Sequence, residues 1–391
     1  MIITDIEAIL LKGNQSYGSL NSSNQVLDQG DWQLLVKVTT DEGLVGWSDV
    51  ETLAPAAKAI IAGQSMGVIG FKTLREMIIG ENPLDIEKLW DRLYIGSVYY
   101  GRRGIALQCI SAIDNCLWSI KAQAEGLALC ELLGTTKRHE VLAYASTLFR
   151  DTPEDNVLAV KEYISKGFRA VKFGWGVFGE DVVKDVEILS AIREEVGPEF
   201  HLMIDPGWYG AGWKKRSFQI RSLEENLSLC ERLEPFKPEW VEDFIHPEKL
   251  EDYAYVRRQS SLDIAAGEQI STEWDFERYI NLGCVDVIQP DLTRCGGLTV
   301  AKKIIKMANE AGIDLVPHSW LTDLLHAYSL HLIAVLPKGR FVEFNVSQSK
   351  LTQGVCGGII KLNKNGTLTI PRSKGIGVEV DESFVDAHRV T

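Results

Sequence analysis

Positive charge is in short supply in this sequence, and no apolar run is long enough to span a membrane. Lysine and arginine total 41 against 54 aspartates and glutamates, a formal net charge of −13. A nucleic-acid surface needs a basic face, so nucleic acid is excluded as the main partner. A small anionic substrate is not, because a bound cation reverses the local sign. With no apolar stretch of about 20 residues, no membrane partner is expected. The opening MIITDIEAILLK carries acids and lacks the basic start and apolar centre of a secretion signal. Seven cysteines, an odd number with no C-x-x-C pair, argue against a disulfide frame or a zinc site and for reduced, mostly buried thiols. The expected location is the cytoplasm. There is no low-complexity stretch and no linker.

What is present divides into two patterns. A chain of 391 residues is too long for one ordinary core and fits two domains, or a barrel with an added lid. The first part reads as α+β. Strand-like runs at 2–11 and 33–39 lead through the turn Asp41-Glu42-Gly43 into 44–47, a hairpin signal. Helical periodicity follows at 84–94 and 105–124, the second ending at Gly126. From about residue 140, short apolar runs alternate with amphipathic helices. The runs are 141–145, 170–173, 202–205, 240–243, 264–268, 285–291, 315–318 and 341–344. Each run fits one strand plus a crossover helix, and eight of them indicate a closed α/β barrel. An open doubly wound sheet is the alternative, but no G-x-G-x-x-G follows the first strand. The tail from 357 looks irregular and strand-like, with no clear barrel helix.

The polar residues at the ends of these runs carry the chemistry. The third run ends in Asp205 (LMIDP), the fourth reaches Glu242 (WVED) and the fifth ends in Glu268 (AAGEQ). On successive barrel strands, three such carboxylates enter one mouth, where active sites of this architecture lie. Three converging anions repel one another unless a hard cation with oxygen ligands neutralises them, and Mg2+ suits these donors. A single acid would more simply cap the next helix. Three in register are different, because capping does not require the same strand end every time. Lys172 (AVKFGW) lies at the end of the second run, Asp291 (IQPDLTRCGG) ends the sixth, His318 (LVPHSW) ends the seventh and Glu343 (FVEFN) sits in the eighth. Alone, such a lysine is usually a surface residue and such a histidine a structural one. On the same face as three acids they form a proton-transfer site, with Asp291 placed to fix the tautomer of His318.

These positions, together with the segment SAIDNCLWSIKAQAEGLALCELLG, resemble the enolase superfamily over nearly the whole chain. The likeness is to the mandelate-racemase subgroup of the mandelate racemase/muconate lactonizing enzyme family. The resemblance implies a (β/α)7β modified TIM barrel with an α+β capping domain. The cap would span residues 1–135, the barrel 136–356, and a tail at 357–391 would return to the cap. It also implies Mg2+ on Asp205, Glu242 and Glu268, the catalytic pair Asp291 and His318, Lys172 as the first lysine of a Lys-x-Lys pair, and Glu343 as the acid of the eighth strand. A symmetric homo-oligomer is implied as well. Two departures stand out. Gly174 occupies the place of the second lysine, and Asp243-Phe244 follows Glu242 where the family often has Glu-Pro.

A carbon next to a carboxylate is far less acidic than an imidazolium, and each unit of mismatch is worth about 1.4 kcal/mol, so a base needs a metal beside it. In that scheme His318 takes the proton, Lys172 faces the substrate carboxylate, and Glu343, if protonated, donates to its other oxygen. Glycine at 174 removes one face's base, which favours a one-face reaction: dehydration of a mono- or diacid sugar to a 2-keto-3-deoxy acid. Epimerisation, racemisation and lactone cycloisomerisation are alternatives of the same chemistry. A catalytically inactive binding or regulatory barrel is the alternative of another class. The substrate-binding candidates are Tyr17 in the loop QSYGSLNSSN, then Tyr99, Tyr100, Arg102 and Arg103, and Trp175 and His246 just past strand ends. Asp114 and Arg294 are read as structural, and Gly296-Gly297 as the opening of a helix rather than a phosphate loop.

Overall fold

The computed structural model describes residues 1–13, 31–208, 219–347 and 349–390. Strands β1 (Ile3–Lys12), β2 (Trp32–Thr40) and β3 (Val45–Val50) form an antiparallel sheet in that order. The expected turn joins β2 to β3, closed by the Gly43 amide donating to the Thr40 carbonyl at 3.1 Å. The two long helices are present as Ile86–Gly96 and Ile105–Glu125. Three shorter ones, Ala54–Ala62, Leu74–Ile78 and Leu129–Leu133, were not expected. Segments of that length hold too few turns for a 3.6-residue period to show.

The second part is the barrel. Its strands are β4 (Glu140–Leu148), β5 (Ala170–Gly174), β6 (His201–Asp205), β7 (Val241–Glu242), β8 (Ile264–Ala266), β9 (Val287–Ile288), β10 (Asp314–Leu315) and β11 (Phe341–Asn345). They pair in parallel in the order β10-β9-β8-β7-β6-β5-β4-β11. A helix follows each strand from β4, with Pro153–Lys166, to β10, with Asp323–Val335. After β11 there is only the five-residue Lys350–Gly354, so the barrel has seven full βα units and a last strand. Four strands, β7 to β10, are shorter than their apolar runs. Pro290 and Pro317 follow β9 and β10 closely and have no N–H to give to a ladder. Asp243, at φ 44°, turns the chain away after β7.

Packing closes the barrel. Tyr144, Ala170, Met203, Trp240, Ala265, Val287, Val316 and Phe341, one from the line of each strand, form a single buried cluster. Trp240 lies edge-on to both Tyr144 and Phe341, at 5.8 Å between ring centroids in each case. Rings from the fourth strand therefore meet rings from the first and the eighth across the axis, as the inner layer of a filled barrel requires.

The cap is fastened by its own polar side chains. A helix start leaves its first N–H groups without partners. At the start of Gly297–Ala311 these groups are taken by the cap helix Ile105–Glu125. The Gly296 amide donates to Ser111 Oγ (2.9 Å), the Leu298 amide to Asn115 Oδ1 (3.1 Å) and the Thr299 amide to Asp114 Oδ2 (2.9 Å). Asp49 on β3 accepts from Thr322 Oγ1 (2.9 Å) and the Leu325 amide (3.0 Å) at the start of Asp323–Val335. Beyond the barrel, β12 (Thr367–Thr369) pairs antiparallel with the beginning of β4. A helix, Glu382–His388, stands where only irregular chain was expected, capped by Asp381 accepting from the Phe384 amide at 3.0 Å. The Val390 amide then donates to the Leu10 carbonyl at 2.8 Å. Among the described residues no helix is long and apolar enough to cross a membrane, and all seven cysteines are free and buried.

Candidate active site

Side chains on a strand alternate, so the residue two places beyond an inner-layer residue points into the barrel one layer higher. Two places on from the eight apolar residues stand Ser146, Lys172, Asp205, Glu242, Gly267, Gln289, His318 and Glu343. The polar layer sits directly on the apolar one, at the C-terminal mouth. Glu268 enters one residue late, through Gly267. A Cβ at 267 would sit 2.4 Å from the Gln289 carbonyl carbon, so only glycine lets the chain pass there.

Oxygens of Asp205, Glu242 and Glu268 lie within 4.8 Å of one another, all three residues buried. Burial and the neighbouring Glu242 push the Asp205 carboxyl well above the ordinary range. The cluster is therefore short of positive charge, and its oxygen donors fit a hard divalent cation. Lys172 Nζ bonds Glu242 Oε1 at 2.5 Å and Glu343 Oε1 at 2.9 Å. Burial opposes its charge, but these two carboxylates hold the ammonium well above its usual pKa. Trp240 Nε1 (2.8 Å) and Gln289 Nε2 (2.9 Å) donate to the other oxygen of Glu242.

His318 Nδ1 meets Asp291 Oδ2 at 2.7 Å, and Nε2 faces the acids, 2.9 Å from Glu268 Oε2 and 4.0 Å from Glu343 Oε2. Burial would lower the imidazolium, yet Glu268, Glu343 and the bond to Asp291 together raise it well above its usual value. Asp291 is itself fixed, its Oδ1 accepting from the Thr293 amide and hydroxyl, each at 2.6 Å. Glu343 differs from the protonated donor expected of it. It accepts from Ser146 Oγ (2.6 Å), the Ser319 amide (2.6 Å) and Lys172. Burial would raise its carboxyl, but Lys172 and His318 hold it below the usual range, so it acts as the counter-charge of Lys172.

Comparison with known proteins identifies the family. Residues 27–134 match the description "Mandelate racemase / muconate lactonizing enzyme, N-terminal domain", and residues 156–384 match "Enolase C-terminal domain-like". The chain belongs to the mandelate racemase/muconate lactonizing enzyme family, within the enolase superfamily. It is 31% identical over 371 residues to a D-galactarolactone cycloisomerase of Agrobacterium fabrum, covering 91% of each chain. It is 32% identical over 378 residues to a D-galactonate dehydratase of Pectobacterium atrosepticum, covering 90% of each. The crystal structure of a 3,6-anhydro-D-galactonate cycloisomerase from Zobellia galactanivorans superposes with a TM-score of 0.85 at 29% identity, over 100% of both chains.

The family's missing second lysine has a structural counterpart. A Cβ built on Gly174 would sit 3.0 Å from Asp205 Oδ2, so no side chain leaves that position without moving a carboxylate of the cluster. Asp243, the other departure, is buried with Oδ2 unpartnered. Burial and then Glu268 and Glu242 push its carboxyl well above the ordinary range.

The candidate substrate residues divide. Arg103 bridges Glu248 (3.1 Å) and Asp275 (2.5 Å). It lines a cavity of about 220 Å³ between cap and barrel loops, shared with Gln108, Glu268, Arg278 and Arg294. Trp175 follows β5, its amide donating to the Asp205 carbonyl at 2.8 Å. His246 lies past β7, edge-on to Trp208 at 5.0 Å. The tyrosines make contacts within the cap instead: Tyr100 donates to the Lys72 carbonyl at 2.7 Å, and Tyr99 stacks on Phe71. Arg102 is exposed, and Tyr17 lies outside the described residues. Asp114 is the helix-contact residue expected. Glu51 was missed by sequence reasoning: it comes from the cap, one residue past β3, and meets Arg294 at 2.6 Å. Nothing in its local sequence marks it.

Proposed function

We propose that this protein is a Mg2+-dependent dehydratase of a sugar acid. The observation that carries the reading is the position of His318 Nε2, inside the acid cluster, with Nδ1 held by Asp291 at 2.7 Å. Asp205, Glu242 and Glu268 would hold the ion. When bound, it lets the three carboxylates stay ionised together and stabilises negative charge developing on a substrate carboxylate. With Glu268 committed to the ion, His318 would lose the contact that keeps its ring charged in this structure. The neutral ring accepts the α-proton at Nε2, and Nδ1–H donates to Asp291, which keeps it in the accepting tautomer. Lys172, charged and pinned by Glu343, faces the substrate carboxylate. The β-hydroxyl leaves as water, protonated by His318 when both groups depart from one face, and the enol left behind tautomerises to a 2-keto-3-deoxy acid. Residues 1–135 serve as the cap over the barrel of 136–356, the tail 357–391 pairs with β4 through β12 before returning to the cap at Val390, and the enzyme works as a cytoplasmic homo-oligomer.

A second reading, lactone cycloisomerisation, is favoured by the two cycloisomerases among the similar proteins. It begins from the same proton. The deciding experiment is a screen of mono- and diacid sugars and their lactones with Mg2+ in D2O. Dehydration produces a carbonyl that semicarbazide detects, whereas cycloisomerisation consumes a lactone with no carbonyl formed from the acids. A screen with neither product and no α-deuterium in any acid refutes both readings.

A further inference from the structure

We infer that Glu51, from the cap, is a positioning residue that keeps the Arg294 guanidinium off the carboxylate of Glu268. The inference rests on the reading that Glu268 helps to hold Mg2+. Arg294 Nη2 bonds Glu51 Oε1 at 2.6 Å. Its Nη1 donates to the Glu268 carbonyl at 3.3 Å and stands 3.8 Å from Glu268 Oε1. Both Arg294 and Glu51 are largely buried, at 16% side-chain exposure. Two carboxylates therefore compete for one guanidinium in a site of low dielectric, and Glu51 holds it in direct contact. A shift of about 1 Å would turn this loose ion pair with Glu268 into a direct hydrogen-bonded one.

The other contacts agree with this role. The second oxygen of Glu51 is buried without a hydrogen-bond partner and stands 3.9 Å from His318 Nδ1, so the acid lies behind the histidine, on the side away from the cluster. Arg294 Nε is likewise buried without a partner, so once Glu51 is neutral only the long bond from Nη1 to the Glu268 carbonyl still holds the guanidinium, and it holds it beside Glu268. Arg294 belongs to the loop after β9, and Glu51 to the chain after β3. The metal ligand of the barrel is thus kept free by a residue the barrel does not contain, and a docked cap becomes a condition for a complete site.

The test compares wild type, Glu51→Gln, Arg294→Met and the double variant by calorimetric titration with MgCl2, beside α-proton exchange in D2O. Glu51→Gln, which keeps shape and loses charge, should bind Mg2+ about tenfold more weakly, the lower end for a residue behind a metal ligand. Adding Arg294→Met should restore binding to within about threefold of wild type, since the competing cation is gone; a residue that merely packs the interface would show no such rescue. Unchanged Mg2+ affinity in Glu51→Gln overturns the inference, as does a double variant no better than Glu51→Gln. A wild-type chain that binds no Mg2+ overturns the reading of the site itself, which separates the two failures.

Discussion

Asp291→Asn tests the assignment of the base most directly, because the structure dictates how the amide must sit. Asp291 is fully buried, and Oδ1 already accepts from the Thr293 amide and hydroxyl, each at 2.6 Å. In the variant the amide oxygen stays on Thr293 and the NH2 group faces His318. The imidazole Nδ1 must then accept, so the neutral ring carries its proton on Nε2, the atom that should take one from the substrate. Turning the amide over would set NH2 against the Thr293 N–H and leave a buried donor unmet, at about 1–3 kcal/mol. At about 1.4 kcal/mol per factor of ten, that leaves the competent arrangement roughly 5- to 150-fold less populated. Loss of the anion behind the imidazolium adds to this; the same exchange in a Ser-His-Asp triad, a known case, costs about 10⁴. Exchange of the substrate α-proton in D2O, followed by proton NMR with Mg2+ present, should fall about 10²- to 10⁴-fold. KM should change little, because Asp291 faces the ring and not the cavity. Exchange within about threefold of wild type would mean that His318 is not the base.

Lys172→Met leaves Glu242 and Glu343 without their shared cation. Turnover per KM should drop about 10²- to 10³-fold, and denaturant midpoints without Mg2+ should fall by about 3–5 kcal/mol of stability; retained turnover would remove Lys172 from the site. Gly174→Ala places a Cβ at 3.0 Å from Asp205 Oδ2, so Mg2+ titration should show weakened binding while the melting temperature in chelator stays near wild type; unchanged affinity would show that the strand yields. Asp114 gives a pH prediction away from the metal. Burial raises its carboxyl to about 7, so between the unfolded value near 3.9 and about 7 the folded state binds more protons than the unfolded one. Its contribution to stability is complete below the unfolded value and is lost as pH rises through about 7. The loss is at most about 4 kcal/mol over some three pH units. Asp114→Asn should flatten that slope in urea melts at pH 5 and pH 8, and an equally steep slope would refute the argument.

Much of the barrel site was legible because each strand announces it locally. The two-residue period that puts Ala170, Met203 and Trp240 in the apolar layer also puts Lys172, Asp205 and Glu242 one layer above. A reader needs only the strand and its end, and Pro206, Pro290 and Pro317 mark three of those ends. The seven-residue helix Glu382–His388 escaped because two turns carry no usable periodicity, although Asp381 three places before Phe384 is a capping signal. Glu51 and Arg294 are 243 residues apart, and Asp114 and Thr299 are 185 apart. No local pattern reports such pairs, because they exist only once the cap has docked.

That division bears on what the sequence can say about the reaction. The dehydratase and the cycloisomerases that this chain resembles act on different substrates, while the proton next to the carboxylate is the shared target of the chemistry proposed here. In the proposed mechanism, the layer holding Lys172, Asp205, Glu242, His318 and Glu343 sets how that proton is taken. Although His318 can protonate the departing group, the layer does not by itself choose which group leaves or which ring forms, because that choice depends on how the rest of the substrate is held. In this reading that choice rests with groups around the mouth, where Arg103 reaches across from the cap to Glu248 and Asp275 beside the cavity. The proposed proton-abstracting step is therefore legible in strand periodicity, while the choice of reaction is expected to rest on cap-to-barrel contacts that periodicity cannot see. Substitutions in the first set should depress α-exchange on every substrate alike. Substitution of Arg103 should leave α-exchange measurable and change the ranking of substrates, read as ratios of kcat/KM across the acid-sugar panel. If Arg103→Ala scales all substrates equally, selection lies elsewhere on the rim.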